Sequence, residues 1–253
     1  MYLQTIESEK SLIYWEQNEN KSNIKKNNRL YLKPFYVKFF EFFAKEENNY
    51  DFIKMWHKKC DEICNDLKKQ LEKDSLNKTP EGKKARERIV SKFRGNLAEI
   101  LIEAMIKFGK LNNYLAIEDY TQVEDPAHEE YIDGTGKDPN NKLSIGVQIK
   151  NFSEHNKVER KFFDKAVVMS KKFAKREKNA EYYETCNQII ISFSDVSDTR
   201  LIDNTFDENG FKDEVLFIGP NEINSLNMGG NSYTRSKPNT GMFNEIFSKI
   251  SNL

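Results

Sequence analysis

Apolar residues recur along this chain in two rhythms, helical at first and strand-like later. From Phe35 to Lys45 they fall on nearly every side of a helix (Phe35, Tyr36, Val37, Phe39, Phe40, Phe42, Phe43), with Pro34 placed where that helix could start. A helix so apolar must be covered by something. From about 50 to 73, Phe52, Trp56, Cys60, Ile63, Leu67 and Leu71 repeat at helical spacing and predict a second, amphipathic helix. Thr79, Pro80 and Glu81 read as a cap, a first-turn proline and a first-turn acid. The helix they open is predicted to reach Phe108, with Gly109 as its stop. Its apolar stripe is Ile89, Phe93, Leu97, Ile100, Leu101, Ala104, Met105 and Phe108, and Lys92, Gly95, Asn96, Glu99 and Glu103 line a polar one.

Beyond Gly109 the pattern changes to strands, predicted near 113–118, 129–136 and 143–151. A helix over about 157–178 follows, then the β-branched run Gln188 to Phe193, typical of a buried central strand. Val215 to Ile218 forms another strand, Pro220 opens a short helix over Asn221 to Leu226, and a last helix covers about 242–250. The fold class expected is α/β: helix, three strands, helix, strand, strand and helix from Thr79 onward, a mixed sheet flanked by helices. An N-terminal helical region, 1–78, precedes this part, 79–253; residues 1–30 are polar and weakly periodic.

With 253 residues, 38% hydrophobic and 32% charged, including 18 Phe and 11 Tyr, the chain can bury a real core. The 40 basic and 40 acidic residues cancel, so only their placement is informative. Lys83, Lys84, Arg86, Arg88, Lys92 and Arg94 crowd one short stretch against a single acid, Glu87, and a second basic run extends from Lys157 to Lys178. Each could be a solvated helix face; lying on both sides of the site proposed below, they are also candidates for contacting phosphates. Cys60, Cys64 and Cys186 show no disulfide-framework spacing, no signal-peptide pattern opens the chain, and no apolar window could span a membrane. The expectation is a soluble, cytoplasmic protein without membrane contact. His57, Cys60 and Cys64 share a helix face, but one helix cannot wrap three ligands around a tetrahedral zinc, so a packed face is expected.

The candidate chemistry lies in the hairpin 130–150. Asp133 is on its first strand; Gln148 and Lys150 are on its second, two residues apart and therefore on one face, with Val147 and Ile149 facing the core. An acid beside a lysine on the face opposite an apolar pair suits a divalent metal and a water held against a phosphodiester. Hard oxygen donors suit Mg²⁺, which Mn²⁺ can replace. Asp133 supplies one carboxylate and Glu99 a second if its helix packs on the sheet; the Gln148 amide oxygen and the Ile149 carbonyl add neutral donors. Lys150 can polarise the attacking water or stabilise charge on phosphorus. Asp138 precedes Pro139 and reads as a turn former; Glu103 reads as surface charge, Glu130 lies off Asp133's face, and His155 as a loop residue.

Gly95, Asn96, Leu97, Ala98 and Glu99 on a helix, then Ile132, Asp133 and Gly134, then Gln148, Ile149 and Lys150 resemble the PD-(D/E)xK nuclease superfamily, most closely its Mrr-type restriction endonucleases and archaeal-type Holliday-junction resolvases. The resemblance covers about 80–228, including Val215 to Leu226, which looks like the closing strand and helix of Mrr-type domains. It implies a restriction-endonuclease-like core of helix, three strands, helix and strand. It also implies that Asp133 is the metal-binding acid, Glu99 the helix acid, Gln148 the second motif position and Lys150 the catalytic lysine. Gln148 departs from the commonest pattern, where an acid stands, and removes a charge from the site.

The function this implies is a Mg²⁺-dependent DNA endonuclease of restriction or anti-phage defence, with Asn151 and Lys157 joining the basic residues of 83–94 in contacting DNA. Residues 1–78 would serve dimerisation, target recognition or a partner subunit. The alternatives are a catalytically weak, nuclease-like binding or scaffold subunit, with the helix Phe35–Phe43 docking another protein, and a nuclease for branched DNA or RNA.

Overall fold

The computed structural model describes residues 28–45, 51–73, 80–109, 117–122, 133–139, 144–153, 156–162, 187–196, 215–227 and 240–252. They form helices α1 (Asn28–Lys45), α2 (Phe52–Lys73) and α3 (Pro80–Lys107), and strands β1 (Glu118–Gln122), β2 (Gly134–Lys137), β3 (Ser144–Lys150), β4 (Asn187–Ser192) and β5 (Val215–Ile218). Helices α4 (Pro220–Asn227) and α5 (Thr240–Ser251) complete them. The chain is α/β, with a mixed five-stranded sheet.

The capping chemistry places α2 and α3 where the sequence predicts them. Asp51 accepts from the Lys54 amide at 3.0 Å in front of α2, and Gly109 adopts a positive φ of 63° just after α3, a conformation open to glycine at little cost. One element differs at its start. Helix α1 begins at Asn28, so Pro34 lies inside it rather than at its start. Strand β1 is described over Glu118–Gln122, and most of the strand expected near 113–118 lies outside the described residues. Of the helix expected over 157–178, residues 160–162 are helical and 157–159 are not; 163–178, like residues 1–27 and the loop 228–239, lie outside the described residues.

Two compact units emerge. The helical unit takes in the described residues up to Ala104 and those from Asn224 onward; the sheet unit is Met105–Ile223. The division drawn at 78/79 from sequence therefore runs through the helical unit, because the first part of α3 packs there. Phe93 lies 4.6 Å from the Tyr36 ring and 6.4 Å from Phe35, and Asn96 Nδ2 donates to the Tyr36 hydroxyl at 3.0 Å.

Inside this unit Phe39, Phe43, Phe52 and Trp56 form a buried aromatic group, with Trp56 edge-on to Phe39 at 4.8 Å. Phe243 of α5 stacks on Phe43 at 5.3 Å. The buried aromatic residues of α1 are thus covered by α2 and α5 of the same chain. His57, Cys60 and Cys64 are buried in the same packing, as a packed helix face requires.

In the sheet unit, neighbours follow sequence order, β1-β2-β3-β4-β5. The β1-β2 and β2-β3 pairs are antiparallel, whereas β3-β4 and β4-β5 are parallel and need the long connections the sequence supplies. Gly134 and Gly136 let β1 lie close: a Cβ on Gly134 would collide with the Tyr120 side chain, and one on Gly136 with Ile117. Among the described residues, no helix is long and apolar enough to cross a membrane.

Candidate functional site

The β2-β3 register carries the site. Gly134 pairs with Val147, and the Asp133 amide donates to the Val147 carbonyl at 2.8 Å, extending the ladder by one residue. Asp133 thus adjoins β3 next to Gln148, whose side chain leaves one face of that strand. Lys150, two residues on, is on that face as well.

Asp133 Oδ2 accepts the Ile149 amide hydrogen at 2.5 Å, which ties the acid to the strand that carries the other two groups. The residue keeps some exposed surface, but its carboxyl is turned inward. Burial pushes that carboxyl above its ordinary range, against the Lys150 ammonium and the Ile149 amide, which both favour the carboxylate.

Strand β3 is covered on both faces, from Ile145 through Ile149. Gln148 is 0% exposed, and among the described residues neither its Oε1 nor its Nε2 has a hydrogen-bond partner. Leaving such an amide unpaired costs about 1–3 kcal/mol, and a bound group could satisfy it. On the β4 side Gln148 registers with Ile190 and Lys150 with Ser192. The Ser192 hydroxyl is occupied, donating to the Ser194 carbonyl at 2.6 Å. Val158 and Ile190 form a small buried cluster lined by Phe152, Phe162, Val196 and Phe217. The Lys150 ammonium lies 5.6 Å from the Phe162 ring centroid.

The structure therefore brings together Asp133, Gln148 and Lys150, with the Ile149 backbone between the last two. Glu99 belongs to the helical unit, half-buried on α3. The polar stripe expected around it is enclosed rather than solvated: Asn96 is 4% exposed and Glu103 only 2%. Glu103 is thus a buried acid and not the surface charge expected, because α3 is buried on all sides from Asn96 to Met105 apart from Glu99. Among the described residues, no three His, Cys, Asp or Glu side chains converge as a metal site. A cation at the hairpin would rely on one carboxylate supplemented by amide and carbonyl oxygens. Those hard donors fit Mg²⁺ or Mn²⁺ in kind, and the orphaned Gln148 oxygen fits a cation that has shed water.

The basic residues divide by environment. Lys83, Lys84 and Arg88 are exposed on α3, and Lys157 is exposed in the sheet unit. Arg86 and Arg94 are engaged within the helical unit: Arg86 lies 3.6 Å from Glu72, and Arg94 contacts Asp61 at 2.5 Å and His57 Nδ1 at 3.1 Å. Lys92 is half-buried and Asn151 is buried. Asp138 is half-buried just after β2, while Glu130 and His155 lie outside the described residues. Sequence reasoning missed Phe162. The signal available was an aromatic pair shortly after the lysine strand, at Phe162 and Phe163.

No family model, characterised protein or solved structure matches this chain.

Proposed function

We propose that the chain is a Mg²⁺-dependent DNA endonuclease of the PD-(D/E)xK kind, built on a restriction-endonuclease-like core and acting in cytoplasmic restriction or anti-phage defence. The observation that supports this reading most is the buried Gln148 amide, unpartnered among the described residues, with Asp133 tied to the neighbouring Ile149 amide and Lys150 two residues on. Asp133, the Gln148 amide oxygen and the Ile149 carbonyl would hold the ion. When bound, Mg²⁺ supplies Lewis acidity and a more acidic water.

The protein's own groups do the rest. The Ile149 amide fixes the direction of the Asp133 carboxylate. Lys150 places a positive charge where charge accumulates on the phosphoryl oxygens, and enclosure of the site strengthens that interaction. Lys83, Lys84, Arg88 and Lys157 would meet the DNA backbone, and a homodimer or a partner subunit would complete the assembly.

The test is cleavage of duplex, single-stranded and junction DNA, and of RNA, by purified protein with Mg²⁺ or Mn²⁺. Lys150→Ala should lose about 10²–10³ in rate while keeping the fold; equal cutting by that variant refutes the assignment. A second reading, a catalytically weak binding subunit, is favoured by the apolar cluster beside Gln148 and by that residue's missing charge. Calorimetric titration separates the two readings: Mg²⁺ or Mn²⁺ binding that Asp133→Asn removes argues against a scaffold.

A further inference from the structure

We propose that Phe162 is a positioning residue that holds the Lys150 ammonium over its ring and so fixes that charge beside Asp133; the catalytic consequence rests on the nuclease reading above. The ring is itself held in place from several directions. The Val158 amide donates to the Asp195 carbonyl at 2.8 Å, and the Phe162 amide donates to the Glu159 carbonyl at 2.9 Å. Phe152 lies 5.5 Å from the ring, which also packs on the Val158–Ile190 cluster. A phenyl group so anchored presents a fixed π-face, and the Lys150 ammonium at 5.6 Å is within reach of its quadrupole.

A lysine side chain has four rotatable bonds, so a strand backbone alone leaves its ammonium poorly placed. Here it is drawn toward the Asp133 carboxyl and toward Phe162, and the two attractions together select a position that neither would select alone. Lys161 also lies 5.5 Å from the ring, but it is exposed and pairs with Glu159 at 2.7 Å, so its charge has another partner.

The experiment reads Lys150 directly and does not depend on activity. Reductive ¹³C-methylation of the full-length protein, with the Lys150 resonance assigned through Lys150→Arg, should show that signal shifted by the ring current. Phe162→Leu, which keeps the apolar volume, should abolish the shift; Phe162→Tyr should keep it, and so should Lys161→Ala. A Lys150 signal without a shift in the wild type, or one unchanged in Phe162→Leu, overturns the proposal.

The cleavage arm is separate. Phe162→Leu should cut about three- to thirtyfold more slowly with an unchanged melting temperature, and Phe162→Tyr should recover the rate. Equal losses in Leu and Tyr variants would overturn the ring-face mechanism. A wild type that shows the shift but cuts nothing sustains the placement of Lys150 and refutes the nuclease reading alone.

Discussion

The Ile149 amide and the Asp133 carboxylate are joined by a hydrogen bond of 2.5 Å across the hairpin. The acid therefore cannot turn away from β3 without breaking a contact to the residue between Gln148 and Lys150. The relationship also gives Asp133 two opposed tendencies: burial resists its charge, while the amide and Lys150 favour it, and burial prevails.

That balance sets a pH dependence in the absence of metal. The folded protein holds the Asp133 proton more tightly than the unfolded chain does, so stability is full below the ordinary carboxylate range. It falls as pH rises through the raised folded value. Asp133→Asn removes this loss. Urea unfolding across pH 4 to 8 should show the variant gaining on the wild type as pH increases, and a gain that shrinks with pH would contradict the assigned direction.

The two kinds of basic residue on α3 should respond differently to removal. On the nuclease reading, Lys84→Ala should lower the salt slope of DNA binding by about one, as expected when one phosphate contact is lost. Arg94→Ala should instead cost about 1 kcal/mol of stability, because it removes a mostly buried guanidinium from its contacts to Asp61 and His57. Binding isotherms at several salt concentrations, paired with denaturation curves, distinguish the two effects.

Gly134 sits where β1 and β2 approach, directly after Asp133. Gly134→Ala should cost about 1–3 kcal/mol through collision with Tyr120. Combining it with Tyr120→Ala should cost less than the sum of the two changes, with a coupling of about 0.5–3 kcal/mol. Simple additivity in a double-mutant cycle would mean that the strands can part to make room.

Burial keeps Cys60 and Cys64 from reagents and pushes the Cys64 thiol up to about 11, partly opposed by Arg94. Iodoacetamide at pH 8, followed by peptide mass mapping, should leave both unlabelled in the native protein and label both in urea. Labelling at native rates typical of an exposed thiol would contradict this packing.

Local signals carried much of the fold. Caps and periodicity placed α2, α3, β3, β4 and β5 within a few residues, because these elements are stabilised by contacts whose spacing shows in a short window. Pro34 misled for a physical reason: proline is favoured in a first turn, yet the six residues 28–33 precede it in the helix. The shared face of Gln148 and Lys150 followed from strand alternation alone. Its enclosure did not, since the residues that cover it, Val158, Phe162 and Phe217, come from separate segments. The same holds for Glu103, whose surroundings no helical periodicity could reveal.

The stacking of Phe243 on Phe43, at 5.3 Å, joins the first described helix to the last. A ribosome making this protein must therefore translate some two hundred residues before Phe43 and Phe52 acquire that neighbour. Until then the two rings pack with Trp56 but lack the α5 contact that the finished fold supplies.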